Sequence, residues 1–207
     1  TWANIKVEYL PTIDKAFFIP FDDLEDVPGV LYRIGKLRIG YEYFLVNSLD
    51  WAVLFGEDGM ESIGALKKGL PRYILTILLS GIRRLPEEKV AYEEKALNNM
   101  MSLEFNHLEK LAYPPGLPGL ERKLPYLLRR PFSEDKVYWK LKYKGAVQEL
   151  FFITTMERAP SLLQLAREEA DRRGYPAEDL GIYIQPIEYG SGCHCQLNFY
   201  YDPSDMG

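Results

Sequence analysis

The C-terminal part of the chain carries neutral polar side chains whose spacing could place them around a small ligand. Residues 181–188 and 193–201 have the alternation of two β-strands, and one side of both strands is polar. The set on that side comprises Tyr183, Gln185, His194, Gln196, Asn198 and Tyr200. Apart from Glu188 at the end of the hairpin the set is uncharged, although solvated sheet faces are usually rich in charge. We therefore predict that a ligand or another domain covers this face, with an uncharged solvated face as the alternative.

His194 is the side chain in this set that could transfer a proton near neutral pH, because an imidazole titrates in that range. We predict it as a catalytic residue; a histidine that is only hydrogen-bonded within the sheet is the alternative. The flanking Cys193 and Cys195 suggest a zinc site. On a strand, however, they project to the side opposite His194, and the sequence has no further cysteine. We therefore predict no bound metal.

Arg129 and Arg130 are a second group that could bind a substrate. A guanidinium group can donate two parallel hydrogen bonds to a carboxylate, so this pair could hold a substrate that carries one. Both residues lie within a stretch rich in proline and glycine, residues 111–135. Two arginines in a solvated loop are the alternative.

The sequence lacks the motifs of several classes of enzyme. No glycine-rich phosphate loop lies between a predicted strand and a helix, and no Gly-x-Ser-x-Gly nucleophile motif is present. The net charge of −5, from 25 basic and 30 acidic residues, disfavours a nucleic-acid partner. No apolar run is long enough for a membrane span, and cysteines at i and i+2 indicate a reducing compartment. We predict a cytoplasmic location.

Hydrophobic periodicity predicts the elements that position these residues. In the first half we expect strands at residues 2–10, 15–21, 42–47 and 72–80, and helices at 49–55 and from Pro86 onward. Asp22, followed by Glu25, predicts a further helix start. Pro28 and Gly29 predict a break in that helix before a second helical piece at residues 30–37.

The second half predicts a β-α-β-β order. We expect strands at residues 147–155, 181–188 and 193–201 and a helix at 160–173. Residues 111–135 are predicted to be a long, stiff, basic connection, which divides the chain into 1–110, 111–135 and 136–207. This order of elements predicts an α+β fold, a ferredoxin-like antiparallel sheet with helices packed on one face.

Several segments resemble a known family, the FAD-linked oxidases. Residues 1–11, Phe21-Asp-Asp-Leu-Glu-Asp and Asn47-Ser-Leu-Asp resemble consecutive segments that follow the flavin domain of those enzymes. Tyr183-Ile-Gln-Pro, together with residues 193–203, is similar to the cap-domain hairpin of the vanillyl-alcohol oxidase / 4-cresol dehydrogenase group. Glycolate- and D-lactate-dehydrogenase-like proteins are relatives of that group.

The resemblance implies a fold and an activity. This chain would be the cap, or substrate, domain of a longer protein, and an FAD-binding domain of the same polypeptide would hold most of the cofactor. The intact enzyme would oxidise an alcohol, phenolic or 2-hydroxy-acid substrate by hydride transfer to the flavin, and the cap alone would be inactive. A free-standing ferredoxin-like module that binds a ligand or a partner protein is the alternative.

The resemblance also bears on the site residues. His194 matches a position that lines the active site in phenol-oxidising relatives, and Tyr183, Gln185, Gln196 and Asn198 would be pocket groups. Metal-binding relatives carry a second histidine on this hairpin, in a Gly-Asp-Gly-Asn-x-His arrangement that this sequence lacks. The resemblance therefore also implies no metal.

Overall fold

The computed structural model describes residues 9–129, 137–187 and 190–205. Its helices and strands are, in chain order, β1 (Ile13–Phe21), α1 (Val27–Leu37), β2 (Glu42–Asn47), α2 (Ser48–Phe55), α3 (Met60–Gly69), β3 (Tyr73–Gly81), α4 (Pro86–Glu104), α5 (Leu120–Arg129), β4 (Ala146–Thr155), α6 (Ala159–Arg172), β5 (Leu180–Ile187) and β6 (Gly192–Tyr201). Most of the strand predicted at residues 2–10 lies outside the described residues.

The six strands form one antiparallel sheet in the order β1-β3-β2-β5-β6-β4. Strand β5, from the second half of the chain, pairs with β2 from the first half, and Ile184 lies opposite Leu45. The two halves therefore share a single sheet. The predicted α+β fold with an antiparallel sheet is confirmed.

Helices cover this sheet on both faces. On the first face, helices α1, α4 and α6 pack on the strands, and the core there includes Leu31, Leu75, Leu97, Leu163, Ile182 and Leu197. On the second face, α2, α3 and α5 add to a separate cluster that includes Phe18, Trp51, Ile63, Ile74, Leu124 and Tyr200. The prediction placed helices on one face, and the structure adds this second layer. Strand β3 is buried along its whole length because both layers cover it.

The start of the first helix was predicted in the wrong place. Asp22 does not begin a helix, because the Asp23 side chain accepts a 2.8 Å hydrogen bond from the Glu25 backbone in a turn. Helix α1 begins at Val27, with Pro28 in its first turn. A proline fits there because no N–H of the first turn has a partner within the helix, so Pro28 starts the helix instead of breaking it.

The predicted connection at residues 111–135 contains helix α5. The buried side chains of Leu120 and Leu124 anchor this helix to the cluster on the second face. Pro125 lies inside the helix and removes one backbone hydrogen bond, a loss that the apolar contacts of its neighbours offset. The prolines of this stretch therefore led to the prediction of a loop where the chain forms a short amphipathic helix. The division of the chain into three parts stays a prediction.

Candidate functional site

Four of the six polar side chains singled out in the sequence lie around a cavity of about 620 Å³ on the second face of the sheet. Tyr183 and Gln185 of β5 and Gln196 and Asn198 of β6 all line it. The register of the two strands brings them together, because Tyr183 pairs with Gln196 and Gly181 with Asn198. Large apolar side chains form much of the remaining wall, among them Tyr41, Phe44, Leu54, Leu128 and Trp139.

The floor of the cavity holds a buried carboxylate, that of Asp50 in helix α2. Its Oδ2 accepts a 2.7 Å hydrogen bond from Nδ2 of Asn198, and its Oδ1 accepts one of 2.7 Å from the Tyr200 hydroxyl. Asn47 caps the helix by accepting a 3.1 Å hydrogen bond from the Asp50 backbone N–H, which fixes the position of the residue. Helix α2 therefore covers the part of the polar face that carries Asn198 and Tyr200.

Burial raises the pKa of Asp50 to about 6. The hydrogen bonds from Tyr200 and Asn198 and the positive charge of Lys140 act in the opposite direction, and the charge of Glu149 adds to the increase. The Asp50 carboxyl group thus changes its charge closer to neutral pH than an exposed aspartate does.

A partly buried ion pair lies beside this carboxylate. Lys140, in the short 3-10 helix Trp139–Leu141, pairs with Glu149 of β4 and donates a 3.1 Å hydrogen bond to Oδ1 of Asn198. Nε2 of Gln196 donates to Glu149 at 3.0 Å and to Asn198 at 2.7 Å. Every cation and carboxylate of this floor therefore already has a partner within the protein.

The remaining hydrogen-bonding groups of the cavity are neutral except for the carboxylate of Glu42. Its Oε1 lies 3.6 Å from Nε of Arg129, and its Oε2 is buried without a hydrogen-bond partner among the described residues. The Tyr183 hydroxyl donates to Gln185, whose Nε2 donates a 3.0 Å hydrogen bond to the backbone carbonyl of Tyr43. Burial raises the pKa of Tyr183 to about 12, so this hydroxyl stays protonated. Within the described part of the chain, Oε1 of Gln196 takes part in no hydrogen bond, so it can accept one from a ligand hydroxyl.

His194 lies on the same side of β6 but is not among the described residues that line the cavity. Its ring stacks on Phe151 of β4, with ring centroids 5.5 Å apart and planes 9° apart. It pairs in register with Gln185, which does line the cavity. The half-buried histidine is therefore a neighbour of the cavity, and its predicted catalytic role stays a prediction.

Arg129 is not among the residues that line this cavity, and it binds acidic side chains of the protein. Its guanidinium donates hydrogen bonds of 2.7 and 2.9 Å to the two carboxylate oxygens of Asp14 and one of 3.0 Å to Ser80. Its Nε also lies 3.6 Å from Glu42. The structure therefore does not bring Arg129 together with the predicted amides, and Arg130 lies outside the described residues.

Three residues of the site were not predicted from the sequence: Asp50, Lys140 and Glu149. Asp50 had a usable signal, because it is the single charged residue in the otherwise apolar segment Leu49–Phe55. A carboxylate in a helix that is apolar on all sides is buried and needs a partner. Lys140 and Glu149 have no such local signal.

The described residues contain neither a candidate metal site nor a candidate membrane span. No group of three or more histidine, cysteine, aspartate or glutamate side chains there could hold a metal ion. No helix in the same residues combines the length and the apolar composition needed to cross a membrane. Cys193 and Cys195 are buried free thiols whose sulfur atoms lie 3.6 Å apart on the first face of the sheet.

No protein-family model and no curated protein sequence matches the chain. Among solved structures, p-cresol methylhydroxylase with substrate bound is similar, with a TM-score of 0.59 and 14% identity, over 94% of this chain and 40% of that one. Two structures of alkyldihydroxyacetonephosphate synthase are similar with TM-scores of 0.57 and 0.58 and identities of 10% and 12%. The matches cover 94% and 95% of this chain. They cover 38% and 37% of the two synthase chains.

The chain thus spans about two fifths of the length of each similar structure. The similarity covers nearly all of this chain. The shared portion is therefore a complete sheet with its helices and not a single motif. At these identities the likeness concerns the fold. The chain has the fold found within FAD-linked oxidases of the vanillyl-alcohol oxidase / p-cresol methylhydroxylase family, as the resemblance in its sequence predicted.

Proposed function

We propose that the chain is the substrate-binding cap domain of an FAD-dependent oxidoreductase that oxidises an alcohol, phenolic or 2-hydroxy-acid substrate. The observation that carries this proposal is the cavity of about 620 Å³ on the second face of the sheet. Its walls are aromatic and aliphatic, and a few convergent amides and a tyrosine supply its hydrogen bonds, which is the composition of a small-molecule site. The shared fold with two FAD-linked oxidases supports the choice of reaction.

Exposed apolar side chains beside the cavity support a partner domain. Phe151 and Ile153 of β4 lie on the same side of the sheet as Gln196 and are 53% and 74% exposed. Leu128 of α5, which lines the cavity, is also exposed. Apolar groups around the mouth of a polar cavity are typical of a surface that another domain covers. A flavin-binding domain of the same polypeptide is the partner that we propose.

The cavity residues fit a position beside a flavin ring, not around its phosphates. The lysine that lines the cavity is bound to Glu149, so it is not free to neutralise a pyrophosphate. Flat side chains such as Trp139 and Tyr183 suit an aromatic ring or a substrate. Bound FAD supplies the redox chemistry as the acceptor of the hydride.

The chain itself would orient the substrate. Oε1 of Gln196 would accept a hydrogen bond from the substrate hydroxyl, and the apolar walls would exclude water from the reacting carbon. His194, next to Gln185 in the sheet, would take the hydroxyl proton if the substrate extends past the edge of the cavity.

The test uses the full polypeptide that contains this chain. We expect it to purify with FAD, and we expect an alcohol, a phenol or a 2-hydroxy acid to bleach the flavin absorbance without oxygen. The 207-residue chain alone should be colourless and inactive. A full polypeptide without flavin would favour the alternative of a free-standing ligand- or partner-binding module.

A further inference from the structure

A second, smaller cavity lies at one end of the sheet, away from the amides of the first. Its volume is about 280 Å³, and three cationic side chains line it together with the acidic Glu178: Lys67 of α3, Arg72 immediately before β3 and Arg167 of α6. Three separate elements therefore direct positive charge into one small space. Nothing in the proposed oxidation uses these residues.

None of the three cations pairs with a carboxylate among residues 9–129, 137–187 and 190–205. Nζ of Lys67 donates to the backbone carbonyl of Glu178 at 2.5 Å, and Nη1 of Arg72 donates to that of Asp22 at 3.4 Å. Nε of Arg167 is buried without any hydrogen-bond partner in that part of the chain. A buried N–H group without an acceptor lowers the stability of the folded protein. A bound anion would supply the missing acceptor and neutralise the positive charge.

The acidic residues near the cavity form no ion pair with the three cations in the described part of the chain. Glu178 lines the cavity, but its side chain is exposed, and only its backbone carbonyl accepts a hydrogen bond from Lys67. The carboxylate of Asp179 accepts a hydrogen bond of 2.7 Å from the Tyr143 hydroxyl and pairs with Lys144 at 2.5 Å. Several cations elsewhere among the described residues have carboxylate partners, as Arg129 has Asp14. Unpaired cations gathered at one point are therefore unusual in a chain with a net charge of −5.

The cations also repel one another. The guanidinium groups of Arg72 and Arg167 lie 5.7 and 5.6 Å from the centre of the same ring, that of Tyr73. Burial is the main cause that lowers the pKa of Arg167; the charge of Arg72 acts in the same direction, and Tyr73 and Asp171 oppose it. Burial is also the main cause that lowers the pKa of Lys67, and the charge of Arg167 acts in the same direction, whereas Asp179 and Glu178 oppose it. An anion bound between these cations would attract each of them and so offset their mutual repulsion.

The beginning of helix α2 adds to the positive potential. Asn47 and Ser48, at the N-terminus of this helix, line the same cavity. The partial positive charge of a helix N-terminus favours an anion there. This contribution is small beside the three side chains, but it has the same sign.

We propose that this basic cavity binds a phosphate group, either as the free anion or as part of a small phosphomonoester. Three converging cations exceed what one carboxylate needs and suit a doubly charged anion. A volume of about 280 Å³ accommodates a phosphate group but not a dinucleotide, so the site is distinct from one for FAD. The proposal does not depend on the redox function.

Isothermal titration of the 207-residue chain with inorganic phosphate tests the proposal, with the ionic strength held constant by chloride. We expect saturable binding that Arg167→Gln and Arg72→Gln each weaken by about tenfold or more. Arg72 is exposed, so its variant should fold even if the Arg167 variant does not. Arg33→Gln, which removes an exposed cation paired with Glu104, is the control and should bind phosphate normally.

Glycerol 3-phosphate and vesicles of phosphatidylcholine with phosphatidic acid distinguish the source of the phosphate. Binding of free phosphate or glycerol 3-phosphate supports the proposal. Binding to the vesicles without binding of either soluble compound would overturn it, as would the absence of saturable phosphate binding. An equal loss of affinity in the Arg33 control would show only a general effect of charge and would also overturn it.

Discussion

The carboxylate of Asp50 accepts a 2.7 Å hydrogen bond from the side-chain amide of Asn198. This contact joins helix α2 to strand β6 across 148 positions of the sequence, at the floor of the candidate ligand cavity. It also fixes the amide orientation, because Oδ1 of Asn198 is left to accept from Lys140 and Gln196. The arrangement of hydrogen-bond donors and acceptors at the cavity floor therefore depends on this contact between distant segments of the chain.

Replacement of Asp50 by asparagine should remove a pH dependence of stability. The pKa of Asp50 is about 6 in the folded chain, against an ordinary value of 3.8, so the folded state binds this proton more tightly than the unfolded state. The native protein should then lose up to about 3 kcal/mol of stability from this group as the pH rises from about 4 to about 6.

Asp50→Asn should not show that part of the loss, because an amide does not titrate in this range. The variant should fold, since the amide can keep both hydrogen bonds, with Tyr200 as the acceptor of one. Urea unfolding of the native chain and the variant at several pH values measures the difference. Parallel stability curves for the two proteins would show that Asp50 does not titrate in this range.

Asn198→Ala should lower the free energy of unfolding by about 1–3 kcal/mol, because it leaves the buried Asp50 and Lys140 with fewer partners. Gln148→Ala is a matched control on the neighbouring strand β4, since Gln148 is exposed and bonds only to a backbone carbonyl. Chemical denaturation should show a small change for the control. Equal changes in the two variants would contradict the buried position of Asn198.

Gly181→Ala should destabilise the chain by about 1–3 kcal/mol through overcrowding. A Cβ atom at this position would lie 1.9 Å from Oδ1 of Asp50, whose hydrogen bonds hold it in place. Gly64→Ala, at a helical position with open space around it, provides the comparison and should be neutral or slightly stabilising. Thermal unfolding measures both, and a tolerated alanine at 181 would mean that Asp50 lies elsewhere.

Arg129→Gln should reduce stability by about 1–3 kcal/mol, because Asp14 and Glu42 would lose their shared cation in a partly buried position. Lys15→Gln on the same strand as Asp14 removes an exposed ion pair with Glu94 and should have a small effect. Urea unfolding of the two variants compares these effects. Unchanged stability in the Arg129 variant would contradict a structural role for these ion pairs.

Much of the fold was predictable because the strands carry a clear period or an unbroken apolar run. The predicted strand at residues 42–47 coincides with β2, and the strand predicted at 193–201 differs from β6 by one residue. The two sides of β6 also separate as predicted, with Leu197 in the core of the first face and Gln196 at the cavity. In a strand with period-two alternation, placing one residue on a face of the sheet determines the face of every other residue.

The parts that were missed depend on contacts between distant segments. Helix α5 lies in a proline-rich stretch, and its stability comes from Leu120 and Leu124 against the second cluster. The pairing of Lys140 with Glu149 depends on how a 3-10 helix meets an edge strand. No local sequence pattern predicts a contact between such distant segments. For this reason the amides of the cavity were predicted, but the ion pair of Lys140 and Glu149 was not.

The rate constant of flavin reduction in the full polypeptide tests the central proposal most directly. Anaerobic stopped-flow bleaching should be slower by about 10²-fold in Gln196→Ala with the native substrate, while FAD content and folding stay unchanged. His194→Ala measures the predicted proton transfer in the same assay. His107→Ala is the control, because that exposed side chain pairs with Asp26 far along the chain from these strands. Reduction rates that are equal in the Gln196 variant, the His194 variant and the unmodified protein would contradict the assignment of this cavity as the substrate site.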